Sequence, residues 1–263
     1  MRLLSLFMTG VLLLPAYAHA AKTTECSAAS GNRKVALLEL YTSEGCSSCP
    51  PADKWLRELP LRGLTADRVI PLALHVDYWN YLGWQDPFSQ QKFTKRQRSV
   101  AAINGLGTIY TPQFVLNGRD FRSWSRWRRA NEAIDRINAT EPQAHIRMTL
   151  RYSVPDRLEI SGETVVSDAA RGRGTNTYVV IYENELTRAV RAGENAGRTL
   201  HHDFVAREFI GPLRTTSETG AHLRQRLRLP KHWKAEELGV VVFIQDRRSG
   251  DILQALAMPL CTS

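Results

Sequence analysis

The sequence predicts an α/β unit followed by an antiparallel β-sandwich-like unit, and three observations carry that expectation. Between Val35 and Val76 the order is a short apolar run, Cys46-Ser47-Ser48-Cys49, helix-spaced apolar residues and a second apolar run. That is strand, turn, helix, strand, the building block of α/β sheets. Beyond Gln143 the hydrophobic period changes to two, the spacing of half-buried strands. At 263 residues the chain exceeds the usual size of one domain, so two units are expected, at 34–140 and 143–260. Glu141-Pro142-Gln143 reads as the linker between them.

The elements follow in order. Met1-Arg2, an apolar stretch from Leu3 to Leu14, Pro15 and the small-residue run Ala16 to Ala21 read as a secretory signal peptide over 1–20, cleaved after Ala20. The stretch is shorter than the roughly 20 apolar residues of a membrane span, and no Cys stands where a lipid would be attached. The mature protein is therefore expected to be unanchored, periplasmic or secreted. Val35 to Tyr41 is almost continuously apolar, as in a strand buried on both faces. Ala52, Trp55, Leu56 and Leu59 then fall at helical spacing, stopped by Pro60 and Gly63. Val69 to Val76 is a second buried strand. The polar and aromatic segment Asp77 to Phe88 reads as an insertion, and a helix follows through Gln91 to Ala102. Phe114-Val115-Leu116 runs into Asn117-Gly118, the strongest short hairpin signal. Trp127, Ala130, Ile134 and Ile137 place an amphipathic helix that ends near Asn138.

In the second unit Ile146, Met148, Leu150 and Tyr152 alternate with polar residues. Further strand runs cover 158–166, 178–183, 222–229, 238–245 and 252–258. Short strands separated by turn residues are the pattern of an antiparallel sandwich.

The formal charge of +9 is spread along the chain, as for a solvated Arg-rich surface. Export removes nucleic acid from the expected partners. The four cysteines are Cys26, Cys46, Cys49 and Cys261, and an oxidising compartment permits disulfides. Cys26 and Cys261 lie near the two ends of the mature chain, and termini often lie close together. Either a bridge between them or a free thiol at each end fits.

Cys46 and Cys49 carry the chemistry. A four-thiolate zinc site needs a second close cysteine pair, which this chain lacks. At a strand-to-helix turn Cys46 falls at the helix N-terminus, where unpaired N–H groups and the helix dipole favour a thiolate. Cys46 is then the exposed nucleophile and Cys49 the resolving thiol, with exchange through a mixed disulfide on Cys46. Pro50-Pro51 suits a first helical turn. A disulfide that only closes the turn fits the same spacing. Thr111-Pro112 strengthens the redox reading. Thioredoxin-like folds place a cis-proline opposite the CxxC, at the start of the third strand, beside backbone that pairs with a substrate strand. Pro112 stands at the matching point.

The strings Leu38 to Asp53 and His75-Val76-Asp77-Tyr78-Trp79-Asn80, with Thr111-Pro112-Gln113 and Gly193-Glu194-Asn195-Ala196-Gly197-Arg198, closely resemble the DUF1223 family of secreted, thioredoxin-like proteins. The resemblance covers nearly the whole mature chain. It implies the thioredoxin-like fold for 34–140 and the exported location, and it implies no reaction or substrate.

One departure stands out. Many thioredoxins carry a buried Asp six residues before the first Cys that assists proton transfer, and here that place holds Leu40. Glu39 beside it faces the other side of the sheet. Glu44 reads as a solvated loop carboxylate whose charge would raise the Cys46 pKa. His75 and Asp77 share a strand face and, with Cys46 and Cys49 nearby, offer ligands for a soft metal such as Cu(I); the plainer and favoured reading is a buried histidine bonded to backbone and an aspartate that caps the next turn. Trp79, Tyr81 and Trp84 fit a wall around a substrate groove or the core of the insertion. His201-His202-Asp203 reads as ordinary strand sequence after a long glycine turn, and Arg119 to Arg129 as a solvated helix surface.

Two functions remain open. One is a thiol-disulfide oxidoreductase acting on thiols or disulfides of exported proteins, with Cys46 and Cys49 reacting and Thr111-Pro112 docking the substrate strand. It needs no cofactor and no resident metal. The other is a non-catalytic envelope module that binds Cu(I) or a protein partner and keeps the CxxC as a structural disulfide.

Overall fold

The structure is a computed structural model that describes residues 22–167, 174–214 and 220–262. The expected signal peptide at 1–20 lies outside the described residues. The chain is a mixed α/β protein in which sheet predominates. Among the described residues no helix is long and apolar enough to cross a membrane.

The first segment follows the expected order closely. After β1 (Thr23–Ala29), which precedes it, it contains β2 (Ala36–Thr42), α1 (Pro50–Arg57), β3 (Val69–His75), α2 (Gln91–Ile103), β4 (Gln113–Leu116), β5 (Arg119–Asp120) and α3 (Trp127–Asn138). The second contains β6 (Ala144–Ser153), β7 (Arg157–Val166), β8 (Thr175–Glu183), β9 (Leu186–Ala189), β10 (Thr199–His202), β11 (Val205–Arg214), β12 (Ala221–Arg228), β13 (Leu238–Asp246) and β14 (Ile252–Pro259). The β4–β5 hairpin turns at Asn117 and Gly118, both at positive φ (51° and 86°). Gly118 is required twice over, because a Cβ there would lie 2.0 Å from the Gly250 carbonyl oxygen.

Eight strands form one sheet in the order β14-β13-β8-β11-β3-β2-β4-β5. Strands β2, β3 and β11 run parallel, and the other pairs are antiparallel. The segments 34–140 and 143–260 contribute four strands each, so hydrogen bonding continues across the linker, and β11 is the seam. That strand lacks an even apolar alternation and was not foreseen from the sequence.

Every residue of β2 and β3 is buried because both faces of the sheet are covered. Leu38 and Leu40 pack with Ala52, Leu56, Ala130 and Ile134 of α1 and α3. Leu37, Tyr41 and Leu72 pack with Phe93 and Val100 of α2 on the other face. A second sheet, β1-β6-β7-β12, covers β8 and β13 through Ile146, Leu150, Ile160, Val179, Ile181 and Val242. Strand β1 also escaped the sequence reading, since Thr23 to Ala29 is only half-buried against β6. The Cys26–Cys261 disulfide is formed and ties β1 to the chain end beyond β14.

Glu39 faces α2, away from the CxxC, as strand alternation requires. Arg96 of α2 forks onto its carboxylate, with Nη2 3.0 Å from Oε2. The guanidinium also lies over the Tyr178, Phe209 and Phe243 rings. The ion pair is buried, Glu39 completely and Arg96 nearly so.

Candidate functional site

Strand β2 ends at Thr42, and the chain turns through Ser43 to Gly45 into Cys46–Cys49, which is closed as a disulfide. Cys49 is the N-cap of α1, and prolines occupy the first turn, where no amide hydrogen is needed. The carbonyl of Cys49 accepts the first intrahelical bonds, from the amides of Ala52 (2.8 Å) and Asp53 (3.1 Å).

Cys46 is not exposed as expected. Cys46 is 1 % and Cys49 0 % accessible, although Ser47 and Ser48 between them face solvent. The segment between β9 and β10, expected to be only a long turn, is bonded to the CxxC loop. Asn195, itself fully buried, donates from Nδ2 to the carbonyls of Glu44 (2.9 Å) and Cys46 (3.0 Å). The Glu194 carboxylate accepts the Ser47 amide at 2.9 Å, and that bond holds its carboxyl below the usual range. Arg198 closes the strap by donating to Asn195 Oδ1 at 2.8 Å.

Beneath the disulfide, Glu44 is completely buried rather than solvated. Its carboxylate accepts the Trp84 indole N–H (2.8 Å) and Nε2–H of His202 (3.1 Å). His202 is thus a member of the site and not plain strand sequence. His75 pairs with a side chain rather than backbone: its Nδ1–H donates to Asp86 Oδ2 at 2.7 Å. The same oxygen accepts the Glu44 amide at 2.8 Å. Asp53 of α1 is buried and accepts the Thr42 hydroxyl at 3.2 Å. Burial alone would lower the His75 pKa, but the Asp86 charge and hydrogen bond outweigh it and raise it. Burial likewise opposes ionisation of Asp86, and His75 with two backbone amides brings its pKa below the ordinary value. For Asp53 burial dominates and raises the pKa, against the opposing pull of His202 and His75.

The profile of the family described as "Protein of unknown function (DUF1223)" matches residues 37–245, a span that holds the CxxC and His202 alike. The chain belongs to the DUF1223 family. Protein AGR_C_4864 from Agrobacterium tumefaciens is similar to this DUF1223 chain at 26 % identity and a TM-score of 0.60, over 89 % of this chain and 98 % of that one. HBP35 of Porphyromonas gingivalis reaches a TM-score of 0.67 at 12 % identity, over 89 % of this chain and 77 % of that one; the likeness is one of fold alone. No curated protein matches.

Other residues of this DUF1223 protein divide between the site and its surroundings. The Trp79 side chain reaches the site at Gly45, where an added Cβ would meet Trp79 Cβ at 3.2 Å. Its indole donates to Thr111 Oγ1 at 2.7 Å, which ties Thr111-Pro112 to the CxxC loop. The Thr111–Pro112 bond is cis. Trp84 braces Glu44, while Tyr81 projects into solvent. Asp77 is taken up by Thr94 of α2. His201 is exposed beside Thr187, and Asp203 accepts the Glu185 amide. Arg119 and Arg122 pair with Asp251 and Asp120, and Trp127 stacks on Trp55. Among the described residues, no three His, Cys, Asp or Glu side chains are grouped to hold a metal ion.

Sequence reasoning missed Asp53, Asp86, Glu194 and Asn195 and undervalued Glu44 and His202. Two signals were present. Asp53 is a charged residue on the same face as Cys49, Ala52 and Leu56, at spacings of three and four. His202 alternates with Leu200 on the buried side of β10.

Proposed function

We propose that this DUF1223 protein is an exported thiol-disulfide oxidoreductase whose residues 34–140 form a thioredoxin-like unit. The signal peptide at 1–20 delivers it to the periplasm or beyond. The observation that carries this reading is where the disulfide sits. Cys46–Cys49 closes the N-terminus of α1 at the end of a buried parallel strand, flanked in the chain by Glu44 and Asp53 of a cluster of five buried titratable side chains. A disulfide that served only to close a turn has no need of them.

In the reduced protein the helix N-terminus favours the Cys46 thiolate. Cys46 attacks one sulfur of a substrate disulfide, forming a mixed disulfide and releasing the other substrate sulfur as a thiolate. The Cys49 thiolate then attacks Cys46 Sγ, re-forms the internal bond and expels the second substrate thiolate. The reverse sequence oxidises a substrate dithiol. Thr111-Pro112, held to the CxxC loop through Trp79, supplies the backbone edge for the substrate strand. Access requires that Glu194 and Asn195 move aside.

Burial of both sulfurs favours a second reading, a structural disulfide in a partner-binding module. Trapping separates the two. A Cys49→Ala variant is expected to accumulate mixed disulfides through Cys46 with exported proteins. No trapped species, together with a reduced pair that resists alkylation without denaturant, refutes the oxidoreductase.

A further inference from the structure

Five titratable side chains from five stretches of chain meet beneath the disulfide: Glu44, Asp53, His75, Asp86 and His202, each at most 7 % accessible. Two histidine–carboxylate pairs account for much of their hydrogen bonding. Three polar atoms have no partner: Asp53 Oδ1, His75 Nε2 and His202 Nδ1. Buried polar atoms are nearly always paired, and those that are not call for an explanation. Here the unpaired atoms all belong to groups that gain or lose protons. Glu44 occupies Nε2 of His202, which leaves Nδ1 as the ring nitrogen open to a further partner. The His75 and His202 rings are 5.0 Å apart, edge to face.

Asp53 follows Cys49 by four residues. Cys49 has helical backbone angles, so the two side chains share one face of α1, with Cβ atoms about 5–6 Å apart. That places the carboxyl within reach of the Cys49 sulfur, directly or through one water. A cleft of about 310 Å³ separates α1 from β10, and Pro51, Asp53, Lys54, Arg198 and His202 line it. Two of the three groups with unpaired atoms, Asp53 and His202, therefore border one opening to solvent.

We infer that Asp53 is the proton donor and acceptor for Cys49, and that His202 passes the proton between Asp53 and the cleft. The inference rests on the oxidoreductase reading. In the resolving step the Asp53 carboxylate takes the proton of the Cys49 thiol. The resulting thiolate forms the bond to Cys46 Sγ as the Cys46–substrate bond breaks, and the electron pair leaves on the substrate sulfur. Asp53 then returns its proton through His202 Nδ1 to water in the cleft, where the substrate thiolate is protonated. In reverse, Asp53 protonates Cys49 as it leaves. Burial, which raises the Asp53 pKa, brings the carboxyl toward the range in which both roles are efficient. Besides burial, the groups that tune it are His202 from β10, His75 from β3, Thr42 from β2 and Asp86, while Glu44 from the CxxC loop acts on His75. Lys54 and Arg57 on its own helix, with Arg198 and His201 across the cleft, line the same opening.

The test uses the full mature protein, reduced and mixed with an aromatic disulfide whose thiolate absorbs. Attack by Cys46 releases the first equivalent and resolution by Cys49 the second, so the two steps are read separately. Asp53→Asn, which keeps size and the Thr42 bond, is expected to leave the first phase within about twofold. It slows the second roughly tenfold or more near pH 7 and removes the carboxyl inflection from that phase's pH profile. His202→Ala is expected to slow the second phase in a way that added imidazole restores. An unchanged second phase in Asp53→Asn overturns the inference. So does equal slowing by Thr42→Val, which removes only the hydroxyl that holds Asp53 and would show that position alone matters. Absence of both phases in the wild type fails the oxidoreductase reading itself, an outcome distinct from either.

Discussion

Replacing Asn195 by alanine should unlock the cysteine pair without unfolding the protein. Asn195 is fully buried and makes two donor bonds, to the carbonyls of Glu44 and Cys46 at 2.9 and 3.0 Å. A buried acceptor that loses its partner costs about 1–3 kcal/mol. Water entering the truncated site recovers part of that, so a local loss of about 2–3 kcal/mol is the working figure. The loss falls on the contact between the 193–198 strap and the CxxC loop, away from the sheet cores, and so acts on local opening. At about 1.4 kcal/mol per tenfold, the open population rises roughly 30- to 150-fold. Alkylation of the reduced protein by a small iodoacetamide, with peptide mapping of Cys46, reads that population when closing outpaces labelling. Thermal unfolding of the oxidised protein, in parallel, separates local from global effects. Equal alkylation rates in wild type and variant would refute the strap as the barrier, and so would acceleration matched by an equal loss of global stability.

Two further outcomes follow from the buried charges. Arg96→Met strips the buried Glu39 carboxyl of its ion-pair partner beneath α2, at a cost of about 3–5 kcal/mol. A fall in urea midpoint at unchanged slope reads that cost, and adding Glu39→Gln should restore most of it. The second concerns pH. Asp53 has a raised pKa in the folded state, so folding is penalised wherever it is ionised in both states and not where it is protonated in both. Asp53→Asn is therefore expected to stabilise the protein at neutral pH, with a gain that vanishes below the ordinary carboxylate pKa near 4. The His75–Asp86 pair has the opposite signs. Its His75 contribution is present below the ordinary histidine pKa and fades as pH rises through the raised folded value. Its Asp86 contribution is present above the ordinary aspartate pKa and fades as pH falls through the lowered one. Chemical denaturation across pH 3–9, for wild type and Asp53→Asn, checks each sign.

Much of the secondary structure was legible because its causes are local. The apolar runs of β2 and β3, the helical spacing of Ala52, Trp55 and Leu56, and the Asn117-Gly118 turn act over a few residues. Strands β1 and β11 were not legible. The first is a weakly patterned edge, and the second earns its place only by pairing with β3 and β8 at once.

At the site the division is sharper. The sequence by itself determined the CxxC, its place between a strand and a helix, and the DUF1223 membership that residues 37–245 bear out. Only the tertiary structure decided that Cys46 is covered, that Glu44 is buried, and that His202, 158 residues away, is its partner. The physical reason is range. A helix N-terminus is written in neighbouring residues, whereas the strap over Cys46 and the histidine under it exist only because β9 and β10 dock against α1, a contact no local pattern encodes.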